Sequence, residues 1–65
     1  MRILLNNKDY NTESGSVSEL LEELNCNTAT VILTLNGDVL EKNKFNETPL
    51  KENDSVELFS FVGGG

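Results

Sequence analysis

The stretch Ser14-Gly15-Ser16-Val17-Ser18-Glu19-Leu20-Leu21-Glu22-Glu23-Leu24 (SGSVSELLEEL, residues 14–24) decides how the rest of this chain is read. Ser16 followed three residues later by Glu19 is a capping box, in which a hydroxyl and a carboxylate satisfy backbone N–H groups that a starting helix leaves without partners. Val17, Leu20, Leu21 and Leu24 then stand at i, i+3, i+4 and i+7, which is one face of a helix. Ser14-Gly15-Ser16 breaks the pattern that precedes it. Asn25 and Asn27 are poor helix formers that tolerate left-handed backbone, so the helix is predicted to stop near Leu24 to Cys26. A single helix with one apolar face needs another element to cover it.

The flanks supply that cover. Before the helix, Arg2-Ile3-Leu4-Leu5-Asn6 and a second run from Lys8 to about Glu13 fold back on each other across a turn near Asn6-Asn7. After the helix a loop runs through about Thr28. The run Ala29-Thr30-Val31-Ile32-Leu33-Thr34-Leu35 is β-branched and apolar, and Asn36-Gly37 signals a tight turn into Asp38-Val39-Leu40-Glu41. Residues 42–50 hold the single proline, Pro49, and show no clear period, so they read as a loop with room for one turn of helix around Lys44 to Asn46. Glu52-Asn53-Asp54 is a further turn, and Ser55 to Val62 is the last strand. The order β-β-α-β-β-β predicts an α+β domain over residues 1–62, a mixed sheet of four to five strands wrapped on one amphipathic helix.

Alternation along the strands sorts the two faces of that sheet. Ile3, Leu5, Val31, Leu33, Leu35, Val56 and Leu58 face the helix. What remains on the outer face is Leu4, Ile32, Thr34, Phe59 and Phe61, with Glu57, Arg2 and Lys8 as a charged rim. Several large apolar side chains grouped on adjacent strands and rimmed by charge suit a transient docking surface.

Composition narrows the function further. A chain of 65 residues with 37% hydrophobic and 25% charged residues belongs to the small globular class. No stretch approaches the roughly 18 apolar residues of a membrane helix, and the N-terminus lacks the apolar length of a signal peptide, so a cytoplasmic location is expected. The single cysteine, Cys26, fits a reducing compartment. Eleven acidic against five basic residues give a net charge of −6, which repels phosphate backbones, so any partner is expected to present a basic face and nucleic acid is excluded. With no histidine and no acids at metal-ligand spacing, neither zinc coordination nor His-assisted nucleophilic catalysis has its parts.

The chain closes on Phe61-Val62-Gly63-Gly64-Gly65. Glycine is about 7% of average composition, so three in a row at this position are poorly explained by chance. Glycine has no Cβ and the narrowest cross-section of any residue, and residues 63–65 read as a flexible tail. Three extended residues reach about 10 Å, enough to carry an α-carboxylate from the last strand into another protein's active site while the folded body stays outside.

Together these features resemble the ubiquitin-like β-grasp sulfur carriers, and within them the ThiS/MoaD superfamily, nearest its thiamine branch. The resemblance rests on Met1-Arg2-Ile3-Leu4-Leu5-Asn6, Ser16-Val17-Ser18-Glu19-Leu20-Leu21, Leu35-Asn36, Asn53-Asp54-Ser55-Val56-Glu57-Leu58-Phe59 and Gly64-Gly65, in that order and spacing. It departs from the family pattern where a frequent Pro-Arg pair is replaced by Glu41-Lys42, which loses a guanidinium fork, and where an Asp-Gly-Asp turn is replaced by Glu52-Asn53-Asp54. Asn53 can adopt the positive φ that glycine would supply there.

The resemblance implies that the chain is a co-substrate rather than an enzyme. A ThiF-like adenylating enzyme would activate the Gly65 carboxylate with ATP and magnesium, no cofactor being bound by the carrier itself. Sulfur from a persulfide-bearing donor protein would then replace AMP to give a thiocarboxylate for a ThiG-like thiazole synthase. Gly63 and Gly64 would enter the partner's active site, and Phe59, Phe61, Ile32 and Leu4 would form the docking face. The alternatives within this fold are the small sulfur-carrier subunit of molybdopterin synthase, whose chain is usually longer, and a ubiquitin-like modifier that joins Gly65 to lysines. A pure binding module with an inert tail is the alternative outside that chemistry. Cys26 is not read as a persulfide carrier: its neighbours are Asn25 and Asn27, and a helix C-terminus disfavours a thiolate.

Overall fold

The computed structural model describes residues 1–60. Over that range the expected order appears. Strand β1 is Arg2–Leu5, β2 Lys8–Asn11, helix α1 Val17–Glu23, β3 Val31–Leu35, β4 Asp38–Leu40 and β5 Ser55–Ser60, with a 3-10 helix at Lys42–Glu47 between the last two strands. The strands form one mixed sheet in the order β2-β1-β5-β3-β4. The β1/β5 pair is parallel and the other pairs are antiparallel.

Helix α1 begins as its sequence predicts, with one difference. Ser16 is the N-cap and its Oγ accepts from the Glu19 N–H at 3.2 Å. The Glu19 carboxylate, however, reaches back to the Gly15 N–H at 2.7 Å rather than to Ser16. The helix ends where the asparagines stop it. Asn25 takes φ 58, its N–H bonds the Glu22 carbonyl at 3.1 Å, and the Cys26 N–H reaches the Leu21 carbonyl at 3.0 Å. That paired closure around a left-handed residue satisfies carbonyls the last turn would otherwise leave open.

The same property of asparagine closes both hairpins. Asn6 and Asn7 have φ 51 and 69, and Asn36 and Gly37 have φ 53 and 93, which are the backbone values that let a two-residue turn match the twist of its strands. Asn53 also adopts a positive φ, 71. Strand β3 starts later than its β-branched sequence suggests, because the Asn27 side chain and carbonyl take the Ala29 and Thr30 N–H groups into a turn.

Inside the sheet, Ile3, Val31, Leu33 and Val56 are buried with Val17, Leu20 and Leu21 of the helix, and Leu5, Leu24, Leu35, Leu58 and Cys26 pack half-buried around them. Phe45 and Leu50 belong to the same core. The turn of helix expected around Lys44 to Asn46 is present within the 3-10 helix, but residues 42–50 contribute to the core where an unpacked loop was expected. The 3-10 helix brings in Phe45, and the extended piece after it docks on the entrance to α1. There the Val17 N–H bonds the Thr48 carbonyl at 3.0 Å, the Leu50 N–H bonds the Gly15 carbonyl at 3.0 Å, and Ser16 bridges Pro49. Lys42 is held internally, its Nζ donating to the Ala29 carbonyl at 2.6 Å, so this cation ties down the loop before β3.

Candidate functional site

The register of the strands assembles the outer face of the sheet. Ile32 on β3 pairs directly with Phe59 on β5, Thr34 with Glu57, and on the other side of β3 Thr34 pairs with Val39 of β4. Directly paired residues share a face, so Ile32, Thr34, Val39, Glu57 and Phe59 stand together away from the helix. Phe59 is 55% exposed and Val39 68%, high values for large apolar side chains in a strand.

Of the expected docking residues, the structure brings Ile32 and Phe59 into contact range and sets Leu4 apart. Leu4 also lies on the outer face, but it is level with Ser55, four residues back along β5 from Phe59, roughly 13 Å away at strand rise, with Glu57 between them. Phe61, Gly63, Gly64 and Gly65 lie outside the described residues.

The three rim assignments separate: Glu57 is not at the rim, because β5 is the middle strand and sets it between the levels of Leu4 and Phe59. Arg2 is on the outer face, where its guanidinium bonds Asp9 at 2.5 Å and Asn53 Oδ1 at 2.7 Å. Lys8 is not, because the Asn6-Asn7 turn sets Lys8 opposite the inward-facing Leu5 and so on the helix side of the sheet edge. Val39 was not expected in the patch. The Asn36-Gly37 turn contained the signal, since a two-residue hairpin places the residue two after Gly37 opposite Thr34.

A second polar feature went unforeseen from sequence. Glu23, at the end of α1, accepts from the hydroxyls of Tyr10 at 2.5 Å, Thr12 at 2.6 Å and Ser14 at 2.8 Å, tying β2 and the chain after it to the helix. The Thr12 bond first, then those of Tyr10 and Ser14, hold its carboxyl below the ordinary 4.5, while the bond to Glu23 pushes the Tyr10 phenol up. A lowered folded pKa contributes stability that is present above the unfolded value and is lost as pH falls through the folded one. Glu23→Gln is therefore expected to melt at lower temperature than wild type at neutral pH, and the gap should shrink as pH drops below about 4.5. A gap that stays constant down to acid pH in thermal melts would remove the carboxylate's charge from the account.

The surface thus offers an apolar face with one central carboxylate. Among the described residues no group of metal-ligating side chains is present, and no helix is long and apolar enough to cross a membrane. A model of the ThiS family matches residues 3–65. The chain belongs to the ThiS family. It is 32% identical to the sulfur carrier protein ThiS of Bacillus subtilis, across 94% of this chain and 96% of that one. Its fold matches the crystal structure of the thiamine biosynthesis protein ThiS from Geobacter metallireducens with a TM-score of 0.85 and 36% identity, each chain covered in full. All of this ThiS family chain also aligns, at 33% identity, with 20% of the length of a thiazole synthase from Magnetococcus marinus. The fold is the ubiquitin-like β-grasp that the sequence resembled, with five strands.

Proposed function

We propose that this chain carries sulfur as a thiocarboxylate on Gly65 for thiazole formation in thiamine biosynthesis, as a protein co-substrate and not as a catalyst. One observation carries the reading: the ThiS family match runs through residue 65 and so includes Gly63-Gly64-Gly65. The chemistry follows from the needs of a carboxylate, which is a poor acyl donor until its oxygen is made a leaving group. The Gly65 carboxylate attacks the α-phosphorus of ATP on a ThiF-like enzyme that also holds the magnesium, and pyrophosphate leaves. The terminal sulfur of a protein persulfide then attacks the acyl adenylate and expels AMP. Cleavage of the resulting acyl disulfide by a thiol frees the thiocarboxylate, a softer nucleophile than the carboxylate it replaces.

Delivery to a ThiG-like thiazole synthase is supported by the Magnetococcus protein, in which a segment similar to this chain belongs to the same polypeptide as the synthase. Gly63 and Gly64 supply the narrow approach to each active site, and Ile32, Phe59 and Phe61 supply the docking face, with Leu4 at its far end. A cytoplasmic location goes with this reading, since ATP and reduced thiols are both available there.

The test is intact mass after incubation with the adenylating enzyme, ATP, magnesium and a persulfide donor. Replacement of one oxygen by sulfur, localised to Gly65 by fragmentation, is the expected result. High-mass conjugates instead would show a modifier, and an unchanged mass would remove the carrier chemistry.

A further inference from the structure

Glu57 occupies the middle of the outer face. It sits on β5, the central strand of the five, with Thr34 directly across and Ile32 on the diagonal; Phe59 lies two residues further along and Leu4 toward the other end. The side chain is half-buried, and its Oε1 accepts from Thr34 Oγ1 at 3.0 Å. Among the described residues no side chain meets its second oxygen. The one ion pair among those residues, Arg2 with Asp9, lies elsewhere on the face. Arg2 is also bound to Asn53, in the turn that precedes β5, and not to Glu57.

This arrangement constrains what can cover the face. Exposed Phe59 and Val39 gain by burial, but any surface that covers them also strips water from Glu57. A carboxylate buried without a counter-charge costs far more than the apolar contacts around it return, whereas one that meets a cation in good geometry is largely compensated. With a net charge of −6 the chain itself favours basic surfaces. We infer that the surface of thiazole synthase that receives this carrier is an apolar patch with one basic side chain at its centre, and that this cation seats on Glu57 and selects the partner. The Thr34 hydroxyl holds the carboxylate in place and leaves Oε2 to the incoming guanidinium or ammonium. Surfaces of similar shape with an acidic or apolar centre are rejected, because they leave Glu57 repelled or unpaired.

This rests on the proposed delivery to thiazole synthase, and the experiment separates the two. Affinity of the full chain for the thiazole synthase of the same organism is measured by calorimetry across a range of salt, for wild type, Phe59→Ala, Glu57→Gln and Glu57→Lys, with thermal melts of each. Glutamine keeps the acceptor for Thr34, so its fold is expected to survive. Glu57→Gln should bind about 30-fold or more weakly than wild type and lose part of the salt dependence, and Glu57→Lys should bind more weakly still. Phe59→Ala should weaken binding while leaving the salt dependence unchanged. Glu57→Gln binding as tightly as wild type, with the same salt dependence, overturns the inference while Phe59→Ala still reports on the docking face. Absence of binding by wild type overturns the inference and the proposed delivery together.

Discussion

Phe45→Ala is expected to leave this chain largely unfolded at temperatures where the wild type is stable. Phe45 is only 4% exposed, inside the same cluster as Leu20, Leu21 and Leu33. Removing a buried phenylalanine ring costs about 3–5 kcal/mol through lost transfer energy and the cavity left behind. A core in a domain of this size rarely supplies more than about 3–5 kcal/mol in total. The two magnitudes are comparable, so no reserve remains. The measurement is thermal or denaturant unfolding followed by circular dichroism, with a drop of about 15 °C or more in the melting temperature, or loss of the transition, as the expected result. A change within about 0.5 kcal/mol, as for an exposed position, would show that the 3-10 helix does not close the core.

The importance of Phe45 could not be read from periodicity, and the reason is physical. Helix α1 announces itself within about ten residues, because its cap, its four apolar positions and its left-handed asparagine are all local. The hairpin turns are local too, and the positive φ at Asn6, Asn7 and Asn36 is what their sequence asks for. Residues 42–50 work otherwise. A single 3-10 helix turns one large side chain inward, and the extended piece that follows gives one more, Leu50, so no repeat can form. What fixes this segment is pairing with Gly15, Ser16 and Val17, which are distant in sequence and near only after folding.

The outer face of the sheet is legible in the sequence to the extent that alternation and register agree. Ile32 and Phe59 met as expected because β3 and β5 pair without a bulge through Val31 to Leu35. Leu4 has the expected face but lies apart from Ile32 and Phe59, since β1 pairs with β5 only at its end nearer Ser55. At Lys8 the two-residue turn outweighs side-chain charge, for its position opposite Leu5 puts it on the helix side whatever its polarity. Glu23 was invisible for another reason. A carboxylate late in a helix reads as a solvated charge, and only the fold carries the three hydroxyls of Tyr10, Thr12 and Ser14 to it.

Gly64→Val should abolish sulfur loading while leaving the folded body intact, a loss on the order of 100-fold or more in the rate of adenylation. Position 64 lies beyond Ser60, the last residue of β5, and the buried core among the described residues is drawn from Ile3 to Val56. The five residues 61–65 can span at most about 17 Å. On the proposed function the Gly65 carboxylate would react within that reach of Ser60, and a partner that holds the body by Phe59 and Ile32 must admit the chain through whatever space lies between. A β-branched side chain at 64 widens that segment and restricts its backbone, whereas glycine at 64 does neither. Because attack at phosphorus requires reacting atoms about 3–3.5 Å apart, even a 1 Å displacement of the carboxylate is enough to reduce the rate 100-fold. The loss should fall on turnover and not on binding, since Ile32 and Phe59, the proposed contacts, are unchanged: the variant should still compete with wild type for the adenylating enzyme, yet yield no acyl adenylate in an ATP–pyrophosphate exchange assay. Gly64→Ala, with a single methyl group, should fall between the two. Normal exchange by Gly64→Val would mean that the tail does not pass through a narrow channel, and the case for three successive glycines would have to rest on something other than access.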